Sequence, residues 1–169
     1  ILQRLMSEWK ARGEEQSYDA IIPQAAEVEI NTIIPVDDPE FMNPENMAPA
    51  LLNYCRNHAL PIPQNKAEIV KCVLQSLASK YQQAVEKLNR CLPSPIRQLN
   101  IIGGGSQNKL LNQLTADALN IPVYAGPVEA TAIGNILTQA MAKGEICNLQ
   151  ELREIVSRSV TPQVYYPKK

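Results

Sequence analysis

The sequence predicts an α/β fold in which helices dominate and the sheet is short. A short apolar run, Leu99-Asn-Ile-Ile102, leads into three consecutive glycines, Gly103 to Gly105, and then into an amphipathic stretch. A second short run, Val123–Ala125, follows a break at Asn120-Ile-Pro122. The remaining patterned segments repeat every three to four residues, the helical period. The expectation is therefore five or six helices around a sheet with two strands.

At the amino end Ile1, Leu2, Leu5, Met6 and Trp9 recur at helical spacing, and Gly13 offers a stop. A second short helix is expected at about 17–27. From 27 to 44 the chain turns extended and proline-punctuated, either an irregular excursion or one short strand with a turn. A helix follows with Asn46 as N-cap, Pro49 in its first turn, and Met47, Leu51, Tyr54 and Cys55 inward. The longest helix, Lys66–Asn89, opens on a capping box of Asn65 and Glu68. Val70, Val73, Leu74, Leu77, Tyr81, Ala84, Val85 and Leu88 form its apolar stripe, and Pro93 and Pro95 close it.

Next comes a strand at 98–102, then a helix at about 107–119 with Ser106 as N-cap and Leu110, Leu111, Leu114 and Ala118 as its buried stripe. After the second strand, Gly126-Pro127 turns the chain into a helix at 128–143, with Ile133, Ile136, Leu137 and Met141 as core residues. Ala130, Ala132 and Gly134 make one part of that helix unusually small, and Gly144 stops it. A last helix, capped by Asn148 with Glu151 at the third position, runs to about Val156, and the tail from 160 to 169 reads as irregular.

A chain of 169 residues with 45% apolar and 20% charged residues is globular in composition. A net charge of −1 gives no electrostatic footprint for a nucleic acid. No apolar run approaches the roughly 20 residues of a membrane span, so no membrane partner is expected. Cys55, Cys72, Cys91 and Cys147 contain no C-x-x-C pair and read as free thiols of a cytosolic protein. Cys55 and His58 have the spacing of two metal ligands on one helix face, but zinc needs three or four, so no metal site is expected. Ile1 enters directly into a helical pattern, and the chain reads as a piece of a longer protein.

The glycines carry the functional signal. Residues without Cβ let the backbone turn tightly and let a ligand approach it closely. The following helix points unpaired N–H groups and a positive dipole end at whatever lies over the turn, an arrangement suited to the phosphates or ribose of a nucleotide; the alternative is a strand-to-helix turn and nothing more. Two familiar phosphate motifs are excluded. In a dinucleotide-binding fingerprint the third glycine would fall at Asn108, and the neighbourhood of Val123-Tyr124-Ala125 lacks the required carboxylate. A Walker A loop needs Gly-Lys followed by Ser or Thr, whereas Lys109 lies between Asn108 and Leu110.

The stretch Ile102-Gly-Gly-Gly-Ser-Gln-Asn-Lys-Leu-Leu-Asn-Gln-Leu-Thr-Ala-Asp117, with Pro122-Val-Tyr-Ala-Gly-Pro-Val-Glu-Ala-Thr-Ala-Ile-Gly-Asn-Ile136, resembles the carboxy-terminal domain of the FGGY carbohydrate kinases. Weaker similarity runs through Leu2-Gln3-Arg4, residues 38–44, Tyr54-Cys55-Arg56 and the long helix. The resemblance covers nearly the whole chain and well under half of the family's full length. It implies a truncated RNase H-like domain of the actin-like ATPase superfamily, with an irregular excursion at about 28–63 and a core α/β unit at about 64–145.

It also implies transfer of the γ-phosphoryl group of ATP, with Mg²⁺, to a sugar hydroxyl. The phrasing points to L-rhamnulose, giving L-rhamnulose 1-phosphate in rhamnose catabolism. Another ketose or polyol such as fuculose or xylulose, or a non-enzymatic interaction domain of the same fold, are the alternatives. The resemblance places nucleotide contacts at Gly104, with Gly103 and Gly105 shaping the turn, at Asn108 near the adenine, and at Gln3. It places no catalytic residue and no metal ligand in this chain, because the catalytic aspartate, the sugar-binding residues and the first phosphate loop belong to the amino-terminal domain. The chain alone is therefore expected to be inactive, and to self-associate through an apolar edge or face left uncovered.

Overall fold

The computed structural model describes residues 1–168, and the chain forms two units, Ile1–Pro93 and Ser94–Lys169. The boundary falls within the stretch 64–145.

The first unit is helical: α1 (Leu2–Ala11), α2 (Tyr18–Glu27), α3 (Met47–Asn57) and α4 (Lys66–Asn89), with a 3₁₀ turn at Pro39–Phe41. The capping box at α4 forms as expected. Asn65 Oδ1 accepts from the Glu68 N–H at 2.9 Å, and Glu68 Oε1 accepts from Asn65 Nδ2 at 2.7 Å. Asn46 occupies the N-cap position of α3, but its side chain makes no cap bond. The Glu8 carboxylate of α1 accepts the Met47 N–H instead, at 2.9 and 3.0 Å, while Asn46 Oδ1 accepts from Arg12 at 2.8 Å. A carboxylate at a helix start also meets the positive dipole end.

Leu5, Trp9, Ile21, Leu51, Val70, Val73 and Leu74 fill the core. The stretch from 27 to 44 takes the irregular form, held on α4 by polar contacts. Ser76 Oγ accepts the Ile34 N–H at 2.9 Å and donates to the Cys72 carbonyl at 2.7 Å, and Gln75 donates to the Ile30 carbonyl at 2.8 Å. The expected α4 stripe holds only in part: Leu77 and Tyr81 are half-buried, and Ala84 and Leu88 are exposed. The pinned segment ends near the middle of α4, so the apolar pattern outruns what covers it. Burial pushes the Cys55 thiol up and the Cys72 thiol to about 12, so both stay protonated at neutral pH.

The second unit contains β1 (Leu99–Ile101), a 3₁₀ turn at Gly103–Gln107, α5 (Lys109–Leu119), β2 (Val123–Ala125), α6 (Ala130–Ala142), α7 (Leu149–Ser159) and β3 (Gln163–Tyr165). The sheet order is β1-β2-β3. β1 and β2 are parallel, with Leu99 opposite Val123 and Ile101 opposite Ala125, and α5 is the crossover that parallel strands require. Asn120 ends α5 in the left-handed region (φ 52°), where its short polar side chain is tolerated.

Three expectations are corrected here. The tail is not wholly irregular: β3 pairs antiparallel with β2, Val123 opposite Tyr165. Long-range polar contacts from α5 hold it, because Gln113 donates to the Tyr166 carbonyl at 2.8 Å and Asp117 accepts the Lys168 N–H at 2.7 Å. The buried face of α5 is Leu111, Asn112, Thr115 and Ala116, while Leu110, Leu114 and Ala118 are half-buried. Packing on β2 and β3 turns the helix so that two polar residues face inward.

Finally, no residue of α6 is buried: Ile133, Leu137 and Met141 are half-covered, and Ile136 is 65% exposed. α6 packs mainly against α7, and among the described residues its apolar side is left half-covered or exposed. Among the described residues no helix is long and apolar enough to cross a membrane.

Fully burying one isoleucine stabilises by about 1.5–3 kcal/mol, so an uncovered face around Ile136 favours association. The isolated chain is expected to self-associate with a second copy through α6, and Ile136→Asp to return it to a monomer. Light scattering over a concentration series checks this, and a monodisperse wild-type monomer throughout would contradict it.

Candidate functional site

In a parallel pair joined by a crossover helix, both strands end on the same side, and ligands bind outside their carboxyl ends. Here β1 ends at Ile101 and feeds the glycine turn, while β2 ends at Ala125 and feeds Gly126-Pro127. Two backbone bonds tie these ends together. The Gly126 N–H donates to the Ile101 carbonyl at 2.8 Å, and the Gly103 N–H donates to the Pro127 carbonyl at 3.0 Å. Gly103 sits at φ +73° and Gly126 at φ +119°, conformations that residues with a Cβ rarely adopt.

Only the first of the three glycines is required by the backbone. Gly103 needs its backbone conformation, whereas at Gly104 a Cβ would meet nothing within 4 Å, and φ lies outside the left-handed region. At Gly105 a Cβ would touch only Ile101, at 3.9 Å. The bare surface at Gly104 and Gly105 therefore lies open to something outside the chain. Ser106 and Asn108 organise the rest. Ser106 Oγ donates to the Gly103 carbonyl at 2.6 Å, closing the turn.

Ser106 is not the N-cap of α5. The 3₁₀ turn runs through Gln107, and Asn108 caps the helix, its Oδ1 accepting the Leu111 N–H at 3.0 Å. Sequence favours either residue at a cap; the 3₁₀ turn that takes in the glycines, Ser106 and Gln107 moves the helix start by two positions. With Oδ1 engaged, Asn108 Nδ2 carries the hydrogens left to donate.

Beside the turn lies an open cleft of about 520 Å³. Ser106, Gln107 and Lys109 line one side, Ala125 to Val128 a second, and Val160, Thr161 and Gln163 a third. That volume is in the range of a small-molecule site, and Lys109 supplies a cation in the first turn of α5. Gly103, Gly104, Gly105 and Asn108 lie on the turn and helix start that border this cleft but do not line it, and Gln3 is exposed on α1 in the other unit.

Cys55 is buried, and His58 Nδ1 donates to the Tyr54 carbonyl at 3.0 Å with its ring stacked on Tyr54 at 4.0 Å, the arrangement of a helix-end residue. Sequence reasoning did not find Asn112, which is fully buried and donates to the Ser106 carbonyl at 2.8 Å. Nor did it find the strand β3, whose first residue, Gln163, lines the third side of the cleft with Val160 and Thr161 before it. A polar residue between Leu111 and Leu114 on a helix was the available signal for Asn112.

Residues 1–143 match the model of the FGGY family of carbohydrate kinases, carboxy-terminal domain. The chain is 43% identical over 169 residues to a rhamnulokinase from Bacteroides thetaiotaomicron, covering 99% of this chain and 34% of that protein. It is 40% identical to a rhamnulokinase from Pectobacterium carotovorum (99% of this chain, 35% of that protein), and 37% identical to one from Bacillus subtilis (99% and 34%). Among solved structures, the xylulose kinase from Rhodospirillum rubrum shares the fold, with a TM-score of 0.60 and 17% identity over 99% of this chain and 32% of that one. The chain spans about a third of the length of the curated relatives it matches. It belongs to the FGGY family of carbohydrate kinases, as a carboxy-terminal domain.

The cap assignment is testable by stability alone. Asn108→Ala should cost about 1 kcal/mol, whereas Asn108→Asp keeps the acceptor and adds a favourable charge at the helix start, so it should unfold at or above the wild-type denaturant midpoint. Equal losses in the two variants, read by urea unfolding, would contradict the cap.

Proposed function

We propose that this chain is the nucleotide-binding part of an ATP-dependent sugar kinase that phosphorylates L-rhamnulose to L-rhamnulose 1-phosphate. The observation that carries the nucleotide assignment is the convergence of two parallel strand ends on a bare glycine surface, followed at once by the start of α5. The names of the relatives support the sugar.

In this reading the nucleotide lies in the cleft beside Gly103 to Gly105. The backbone at Gly104 makes the closest approach, and Asn108 Nδ2 donates to an acceptor on the adenine edge. Gln3, on α1, is proposed as a nucleotide contact on the family resemblance alone. Lys109 offsets phosphate charge. Mg²⁺ enters with the ATP phosphates, and its protein ligands lie outside this chain. The general base and the sugar pocket also belong to the rest of the protein, which acts in the cytoplasm.

Phosphoryl transfer is catalysed mainly by positioning and charge stabilisation across a complete constellation. This chain contributes the nucleotide side of it. The full-length protein should therefore turn over L-rhamnulose with MgATP in preference to fuculose and xylulose, and the isolated chain should phosphorylate none of them. A coupled assay across that ketose panel decides. Preference for another ketose would overturn the sugar assignment, and full activity of the isolated chain would overturn the division of labour.

Gly104→Val separates ligand approach from folding, because neither a neighbour nor the backbone opposes a side chain there. In the full-length protein it should leave the thermal midpoint and the KM for sugar near wild type while raising the KM for ATP about tenfold or more. Unchanged ATP kinetics in the folded variant would make the turn merely structural.

A further inference from the structure

We propose that Asn112 is a positioning residue for the nucleotide, holding the glycine turn in place through Ser106; this rests on the nucleotide reading above. Asn112 is 0% exposed, in the middle of α5. Its Nδ2 donates to the carbonyl of Ser106, six residues earlier, at 2.8 Å, while its Oδ1 is buried with no hydrogen-bond partner. An unpaired buried oxygen is a cost that a leucine of similar size would avoid. Stability of α5 therefore gives no reason for an amide at this position, and its single bond points to the turn.

Three glycines cannot fix their own conformation, because they have no side chains to pack. The turn is held from outside at both ends. Gly103 is fixed by the Pro127 carbonyl, and Ser106 by Asn112. Ser106 Oγ links the two ends by donating to the Gly103 carbonyl at 2.6 Å. Asn112, Ser106, Gly103 and Pro127 thus form one chain of hydrogen bonds from the buried face of α5 to the loop after β2. Asn112 touches no ligand in this arrangement. It sets the height and tilt of the surface that does.

The experiment compares Asn112→Leu and Ser106→Ala with wild type in the full-length protein, measuring MgADP affinity by calorimetry, the KM for sugar, and thermal unfolding. Asn112→Leu should weaken MgADP about tenfold while the thermal midpoint moves by no more than about 2 °C and the sugar KM is unchanged. Ser106→Ala should shift MgADP affinity in the same direction, and the double variant should fall short of the product of the two effects, because both act along one chain of bonds. Should Asn112→Leu fail to fold, Ser106→Ala carries the same expectation. Folded variants that bind MgADP like wild type would overturn the proposal, as would a fall in thermal midpoint with no selective loss of MgADP. A wild-type protein that binds no MgADP would instead remove the nucleotide reading itself, and this inference with it.

Discussion

Two backbone hydrogen bonds, Gly126 N–H to the Ile101 carbonyl and Gly103 N–H to the Pro127 carbonyl, bring the ends of β1 and β2 side by side, and the candidate site is built on that junction. Both bonds involve glycines with positive φ. The strands supply only three residues each, so the pairing is short and depends on α5 packing across β2 and β3. From the junction the rest follows in order: the 3₁₀ turn displaces the start of α5, Asn108 becomes its cap, and the cleft opens between the turn, Gly126-Pro127 and the segment leading into β3. Backbone geometry makes this surface, and the side chains beneath it hold it still.

The distribution of burial fits a domain that works as part of something larger. In the first unit the core is well filled, with Leu5, Leu51, Val70, Val73 and Leu74 inaccessible to solvent. In the second, α5 covers the sheet, yet α6 keeps its apolar residues half-covered or exposed. The chain spans about a third of the length of the relatives it matches.

Much of the fold was legible because local chemistry and tertiary structure agree there. The α4 bounds follow from the capping box and the prolines after it, and β2 follows from Pro122 and the Gly126-Pro127 turn. The glycine turn stood out because three adjacent residues without Cβ have few purely local uses. What was missed is non-local. β3 forms because Gln113 and Asp117 hold the tail beside β2, an interaction between residues some fifty positions apart. The face of α5 was misjudged because apolar periodicity cannot show that Asn112 and Thr115 find partners inside. Thr115 donates to the Leu111 carbonyl at 2.7 Å, and Asn112 reaches the turn. The apolar residues of α6 were read as core because their pattern is that of a core helix, whereas its cover is not supplied by the described residues.

The central claim is that the junction of the glycine turn with Gly126-Pro127 is where the nucleotide sits. Hydrogen exchange of the full-length protein, followed by mass spectrometry with and without MgADP, tests it most directly, because exchange reports local opening of the backbone at those amides. The account predicts that nucleotide slows exchange in peptides spanning 103–109 and 126–128, while exchange across α2 and the first half of α4 is unchanged. Protection confined to other segments, with exchange at the turn unaffected by saturating nucleotide, would contradict it.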